Sequence, residues 1–195
     1  MIGDPSSPAS DQAISPAPDA ANAQTATPDS ASFRLHATEI WSALAIIVVD
    51  QITKAALRAR LPVHDSIDVI PGFFSLTHVR NTGAAFGFLN TVEFPFKSAV
   101  LALVATCALI GIGVYAARLS VHERMARFGL SLVLGGAVGN LIDRLMLGSV
   151  VDFVDLYWRD FHFWAFNVAD ASITIGVVVL MLDMMGCCRH VSKTP

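Results

Sequence analysis

The chain has 195 residues, of which 54% are hydrophobic and only 15% are charged. A typical soluble domain is about a quarter charged, so this composition argues against a soluble protein of this length. The formal net charge is -3, and no basic stripe is present, which argues against a nucleic-acid partner. The composition therefore indicates an integral membrane protein.

Residues 1–35 are predicted to form a disordered N-terminal tail. Ala, Ser, Pro, Asp and Thr dominate them, and neither Lys nor Arg occurs before Arg34. The tail lacks the basic start and apolar stretch of a secretory signal peptide, so we expect the first membrane span to act as an uncleaved targeting signal. Residues 189–195 are predicted to form a short C-terminal tail, which leaves residues 36–188 as one transmembrane domain.

Four apolar segments are predicted to cross the membrane, since a spanning helix needs about 20 residues. We place them at 38–60, 97–118, 127–147 and 166–186. The clearest, SAVLALVATCALIGIGVYAA from Ser98 to Ala117, contains no charge. With four spans, both termini lie on one side of the membrane. The short basic linker with Arg118, Arg124 and Arg127 favours the cytoplasm for that side.

Two connections between the spans differ in character. Residues 61–96 include FFSLTHVRNTGAAFGFL, where β-type residues alternate roughly before small ones, and they are predicted to form a strand-containing layer at the membrane surface. The later connection contains LYWRDFHFWAF and is interpreted as a polar loop, in which Asp155, Arg159, Asp160 and His162 are solvated. Its Tyr157, Trp158 and Trp164 suit the aromatic belt of a membrane interface.

Cysteine usage argues against a disulfide framework. Cys107 lies inside the second span, and Cys187 and Cys188 follow the fourth. Palmitoylation of the adjacent pair is one interpretation. Unmodified cysteines are the interpretation that we favour.

Polar residues gather at one end of the predicted bundle. They are Asp50 and Lys54 at the end of the first span, Asn140, Asp143 and Arg144 at the end of the third, and Asn167 and Asp170 at the start of the fourth. Because successive spans alternate in direction, these ends meet on one face, where the loop bearing Asp152 also lies. A charge at the membrane centre costs about 2.5–3.5 kcal/mol, so intramembrane charges are usually functional. The sequence therefore predicts a polar pocket.

Spacing separates structural residues from candidates for chemistry. Asp50 and Lys54 are spaced for a helical ion pair, and Asp143 beside Arg144 is interpreted as a mutually neutralised scaffold. Gly135, Gly136 and Gly139 are expected to allow close helix packing. Asp152 and Asp170 are the remaining candidates. Each is flanked by apolar residues and has no basic residue within four positions.

The sequence offers one kind of chemistry, acid–base catalysis by two carboxyl groups. No HExxH, GxSxG, Walker-type or dinucleotide-type motif is present, and we expect neither a metal ion nor an organic cofactor. Two Asp side chains that share a site titrate as a unit with one proton between them, and such a pair can hydrolyse an amide. A proton-coupled transporter and a non-catalytic scaffold are the alternatives, although no internal repeat supports a transporter.

Five blocks in the chain closely resemble one enzyme family. They are DQITK at 50–54, NTGAAFGFL at 81–89, GGAVGNLIDR at 135–144, GSVVDF at 148–153 and FNVADASI at 166–173. In this order they resemble the lipoprotein signal peptidases (signal peptidase II), which are bacterial intramembrane aspartyl proteases. The likeness runs from about residue 38 to residue 186. It implies an endopeptidase that cuts prolipoproteins before a cysteine carrying diacylglycerol.

The resemblance also assigns roles to residues. It implies that Asp152 and Asp170 are the catalytic pair. The residues implied to bind substrate or support the pair are Asn81, Asn140, Arg144, Asn167, Asp50, Lys54 and Asp143.

The resemblance further implies a fold and a location. The fold is an all-α membrane protein with four transmembrane helices, a small periplasmic β-cradle and a short surface helix. The location is the bacterial inner membrane, with both termini in the cytoplasm and the active site near the periplasmic face. The expected partners are diacylglyceryl-modified prolipoproteins and membrane lipid, and we expect a monomer.

Overall fold

The computed structural model describes residues 37–83, 94–119 and 123–185. These residues belong to one unit, Ala31–Pro195. They form four helices and four strands, in the order α1 (Ala37–Arg60), β1 (Ser66–Ile70), β2 (Phe74–Asn81), α2 (Lys97–Arg118), α3 (Arg124–Leu147), β3 (Val150–Trp158), β4 (Phe161–His162) and α4 (Val168–Met184). The proposed domain boundaries, both tails and the Cys187–Cys188 pair lie outside the described residues and stay predictions.

Three helices are long and apolar enough to cross a membrane. They are Ala37–Arg60, Lys97–Ala116 within α2, and Arg124–Leu147. These helices match the first three predicted spans, and the third begins three residues earlier than predicted. The fourth predicted span corresponds to α4, which has 17 residues. It starts at Val168 because Phe166 pairs with a strand and Asn167 caps the helix.

Helices α1 and α3 run parallel to each other, and α4 runs antiparallel to α3. Arg127 near the start of α3 donates to Glu39 near the start of α1 at 2.9 Å. At their other ends, Lys54 of α1 donates to Asn140 of α3 at 2.9 Å. The start of α4 packs on the same part of α3, where Gly136 lies against Ala169. The predicted meeting of these three helix ends is therefore confirmed.

Glycines on α3 allow this close packing. A Cβ atom at Gly135 would lie 2.9 Å from the carbonyl oxygen of Ala43, and one at Gly139 would lie 2.7 Å from Asp50 Oδ2. Real side chains do not tolerate such distances. The prediction that these glycines permit close helix contact is therefore confirmed.

The strands form one antiparallel arrangement in the order β1-β2-β3-β4. A turn at Gly72, whose φ is 81°, joins β1 to β2 within the 61–96 connection. Strands were predicted in this connection, and that prediction is confirmed. Residues 84–93 lie outside the described residues, and the short surface helix stays a prediction.

The interpretation of the later connection as a solvated loop was wrong for Asp155 and for the strands, whereas His162 is exposed as predicted. Asp155 lies in β3 and is half-buried, and its Cα pairs with that of Ser75 in β2. His162 lies in β4, where its Nδ1 is 2.9 Å from Asp155 Oδ2. The fold is therefore mainly helical with an antiparallel sheet, and not all-α. The apolar segment VVDFVDL forms most of β3, and this strand is paired with a neighbouring strand along each of its two edges.

Strand β3 is irregular at Phe153, next to Asp152. On its β2 side, Leu76 pairs with Val154 and Val79 pairs with Asp152, so β2 has one extra residue. On its other side, the N–H groups of Phe153 and Val154 both donate to the Phe166 carbonyl, at 3.0 and 2.8 Å. Bulges of this kind often redirect side chains beside functional sites.

Candidate active site

Asp152 is held by two asparagine amides. Asp152 lies on β3 and is only 2% exposed. Asn81 Nδ2, at the end of β2, donates to Asp152 Oδ2 at 3.0 Å. Asn167 Nδ2, just before α4, donates to Asp152 Oδ1 at 2.7 Å. Both oxygens therefore have a donor from a different element, which fixes the plane of the carboxylate.

Asp170 lies in the first turn of α4 and is half-buried. Asn167 and Asp170 form a capping box. The Asp170 N–H donates to Asn167 Oδ1 at 2.9 Å, and the Asn167 N–H donates to Asp170 Oδ2 at 3.3 Å. Asn140 Nδ2 of α3 donates to Asp170 Oδ1 at 2.7 Å. The same local signal that starts the helix therefore orients the acid.

Amides connect the two aspartates. Besides its bond to Asp152, Asn167 Nδ2 lies 3.2 Å from Asn140 Oδ1, and Asn140 in turn donates to Asp170. Asp152 and Asp170 therefore meet in one site, where the amides of Asn167 and Asn140 form a chain of hydrogen bonds between them. Each acid keeps its acceptor atoms engaged by neutral donors and has no ion-pair partner among the described residues.

A buried charge cluster supports these residues from within the bundle. Lys54 Nζ lies 2.8 Å from Asp50 Oδ2 and 3.1 Å from Asp143 Oδ2. Lys54 and Asp50 are completely buried, and Asp143 is 1% exposed. The predicted Asp50–Lys54 ion pair is therefore confirmed, and Asp143 joins it to form a triad.

Each acid of this triad also holds the backbone next to one candidate catalytic residue. Asp50 Oδ1 accepts from the Ala169 N–H at 3.0 Å, one residue before Asp170. Asp143 Oδ2 accepts from the Val151 N–H at 3.0 Å, one residue before Asp152. The triad therefore ties α4 and β3 to α1 and α3.

The interpretation that Asp143 and Arg144 neutralise each other was wrong. Asp143 pairs with Lys54, whereas the Arg144 guanidinium donates to the carbonyls of Asn140 and Gly83, each at 3.3 Å. Successive residues on a helix point in directions about 100° apart, so neighbours do not face each other. Arg144 therefore remains available to the cavity described below.

Gln51 is a supporting residue that sequence reasoning missed. Its Nε2 donates to the Gly139 carbonyl at 3.1 Å and lies 3.2 Å from Asp143 Oδ1. It therefore links α1 to α3 beside the triad. An amide between Asp50 and Lys54 in an apolar helix was the signal that could have identified it.

Burial raises the pKa of Asp152 to about 7. The main cause is the loss of solvation of its charged form, and the negative charge of Asp170 adds to the effect. The hydrogen bonds from Asn81 and Asn167 oppose it, because they stabilise the carboxylate. Asp152 is therefore able to gain or lose a proton near neutral pH.

Both aspartates line a cavity of about 620 Å³. Its polar lining consists mainly of Asn81, Asn140, Arg144, Asp152 and Asp170. Apolar walls come from α2 (Ala105, Ala108, Leu109 and Ile112), from α4 and from the segment 163–166. The triad and Asn167 lie behind this surface. The cavity therefore combines a small group of polar atoms with a large apolar wall.

Metal ligands do not converge in the part of the chain that the structure describes. Across 37–83, 94–119 and 123–185, no group of three or more His, Cys, Asp or Glu side chains has the arrangement of a metal site. The chemistry that these described side chains offer is proton transfer by carboxyl groups.

The fold and the site define a class: a helical membrane protein in which a cluster of polar side chains lines a mainly apolar cavity. The sequence model of the family Signal peptidase (SPase) II matches residues 42–186. The chain belongs to this family, and it is a peptidase. This result confirms the enzyme interpretation over the transporter and the scaffold.

Relatives and solved structures agree with this assignment. The lipoprotein signal peptidase of Geobacter metallireducens is 45% identical over 147 residues, covering 75% of this chain and 90% of the relative. That of Symbiobacterium thermophilum is 46% identical over 143 residues, covering 73% and 91%. A bacterial membrane enzyme solved by the in meso method at 2.3 Å resolution has a TM-score of 0.69 at 32% identity, covering 81% of this chain and 93% of that one.

Proposed function

We propose that this protein is an intramembrane aspartyl endopeptidase. Its reaction removes the signal peptide from diacylglyceryl-modified prolipoproteins by cleavage before the lipidated cysteine, with Asp152 and Asp170 activating water. The observation that carries the proposal is that both carboxyl groups line one cavity with an apolar wall. The family assignment supports prolipoproteins as the substrate class.

In the proposed mechanism the pair starts with one proton. The ionised carboxylate takes a proton from a water molecule while the water oxygen attacks the carbonyl carbon of the scissile peptide. The protonated carboxyl group donates to the carbonyl oxygen, on which negative charge develops. The tetrahedral intermediate then loses its C–N bond, and the nitrogen takes a proton from the pair. The products are a signal peptide with a carboxylate end and a cysteine with a free amine.

The neighbouring residues have positioning roles in this mechanism. Asn81 and Asn167 hold Asp152, and Asn140 holds Asp170. Arg144 lines the cavity and carries the only guanidinium among its described lining residues, so it is a donor for a substrate carbonyl. The Asp50–Lys54–Asp143 triad supports the pair without touching substrate.

The proposed membrane placement uses α4 as the fourth span. Its 17 residues extend about 25 Å at 1.5 Å per residue, close to the roughly 30 Å of a hydrocarbon core. We place the protein in the bacterial inner membrane as a monomer, with cytoplasmic termini and the cavity near the periplasmic face. In this orientation the apolar wall of α2 and α4 faces the signal helix and acyl chains of a substrate that arrives within the lipid.

The test is signal-peptide release from a purified lipid-modified prolipoprotein, followed by gel shift. Asp152→Asn and Asp170→Asn are expected to reduce cleavage by at least 10³-fold while the protein still folds. Asp155→Asn is the matched control, because it makes the same change on the same strand outside the cavity lining. A wild-type sample with a chelator is expected to cleave normally. Cleavage that survives in either site variant would refute the acid pair.

A further inference from the structure

The segment 163–166 forms one wall of the cavity and also extends the sheet. The Phe166 N–H donates to the Val154 carbonyl at 3.1 Å, and the Phe166 carbonyl accepts from Val154 at 2.8 Å. Phe163 is held in the same way, since its N–H donates to the Leu156 carbonyl at 2.8 Å. The main chain of this wall is therefore fixed against β3.

The direction of the Ala165 carbonyl follows from these bonds. No described peptide bond is cis, and in a trans peptide the carbonyl of one residue points opposite to the N–H of the next. Since the Phe166 N–H points to β3, the Ala165 carbonyl points away from β3. Ala165 lines the cavity, and its carbonyl accepts no hydrogen bond from the residues that the structure describes.

This carbonyl lies on the same side of the main chain as Asp170. The Phe166 carbonyl also points to β3, so the following N–H, that of Asn167, points away from it. That N–H donates to Asp170 Oδ2 at 3.3 Å. The Ala165 carbonyl and the Asp170 carboxylate are therefore presented side by side from one short stretch of backbone.

We infer that the Ala165 carbonyl binds the substrate main chain by accepting a peptide N–H one or two residues away from the scissile bond. The inference rests on the proposed function. A carbonyl in a largely apolar wall needs a donor, because a polar group that loses water without gaining a hydrogen bond is destabilised. An extended peptide supplies that donor at a regular spacing. Sheet-edge pairing of this kind gives affinity through main-chain hydrogen bonds and does not read side chains.

The first experiment replaces backbone N–H groups of a synthetic lipopeptide substrate by ester oxygens, one position at a time. The N–H of the scissile bond itself is left intact, so that its chemistry does not change. At one neighbouring position, the ester replacement is expected to raise KM about tenfold with little change in kcat. This is the effect of losing one hydrogen bond that forms in both the ground state and the transition state. Equal cleavage of all the esters would overturn the inference.

The second experiment tests whether the sensitive substrate N–H binds the Ala165 carbonyl of the enzyme. An α-hydroxy acid in place of Phe166 turns the Ala165 carbonyl into an ester carbonyl, a weaker acceptor. The tenfold effect of the sensitive substrate ester is then expected to shrink to about twofold or threefold, because the partner is already weakened. The matched control is the same replacement at Phe163, which also removes one bond to β3 but leaves Ala165 unchanged.

The outcomes separate the two proposals. A tenfold substrate effect that persists in the Phe166 variant would overturn the role of Ala165, even though the enzyme still cleaves. If the Phe166 variant does not fold, the ester scan on the wild-type enzyme still decides whether such a main-chain bond exists. Failure of the wild-type enzyme to cleave the parent lipopeptide would instead count against the proposed function.

Discussion

Lys54 Nζ donates to Asn140 Oδ1 at 2.9 Å, and this bond fixes which way the Asn140 amide points. A lysine ammonium can only donate, so it selects the amide oxygen. The amide nitrogen is then left to donate to Asp170 Oδ1, at 2.7 Å. A buried charge that does not line the cavity therefore determines a hydrogen bond to a proposed catalytic acid.

Lys54→Met is expected to destabilise the protein strongly. It leaves Asp50 and Asp143 buried without their counter-ion, and breaking a buried pair from one side costs about 3–5 kcal/mol in the free energy of unfolding. Thermal unfolding in detergent measures the effect. Arg60→Met, at an exposed position of the same helix, is the control and should change little. Similar melting curves for both variants would contradict the role of the triad.

Activity is expected to fall as pH rises through about 7. The pKa of Asp152 lies near this value, so above it Asp152 no longer holds a proton that could reach the leaving nitrogen. Well above it, kcat/KM should fall about tenfold per pH unit. Asn81→Ala removes a hydrogen bond that favours the charged form, so its alkaline limb should move to higher pH. A limb that does not move in a pH–rate profile would argue against Asp152 as its origin.

Gly139→Ala is expected to reduce both stability and activity. The added Cβ would lie 2.7 Å from Asp50 Oδ2, which forces α1 away from α3 or displaces the carboxylate. Overpacking of this kind typically costs about 1–3 kcal/mol. Gly111→Ala is the matched control, because its Cβ would have no atom within 4 Å. Unfolding and cleavage assays on both variants should show a loss only for Gly139→Ala.

Ala108→Trp is expected to block substrate binding without unfolding the protein. Ala108 lines the cavity from α2, and an indole there would occupy space that the proposed substrate needs. We expect kcat/KM to fall at least tenfold. Leu103→Trp tests the same change on the same helix at a residue that is 63% exposed and outside the cavity lining. Equal activity of the two variants would show that the substrate does not use this wall.

The helices and the meeting of their polar ends could be predicted from the sequence. Long apolar runs require spans, and alternating span directions place Lys54, Asn140 and Asp170 at the same end. The glycines near Asn140 also indicated a close helix contact correctly. These features follow from composition and spacing along single helices, so one sequence is enough to reveal them.

The sheet partners and the ion-pair partners could not be predicted in this way. Strand β3 depends on β2, which is far away in the chain, and its aromatic end suggested a membrane-interface loop. The pairing of Asp143 with Lys54 depends on how α1 packs against α3, whereas sequence adjacency suggested Arg144. Both errors arose where a contact between distant segments decided the structure.

The placement of Asp170 on α4 has a consequence for the newly made protein. Asp152 and most of its supporting side chains leave the ribosome first, and Asp170 follows with the start of α4. The acid pair therefore forms only after α4 has been synthesised and has packed against α3. If the proposed mechanism holds, a chain that ends before Asp170 carries one acid alone and is expected to be inactive towards the proteins around it.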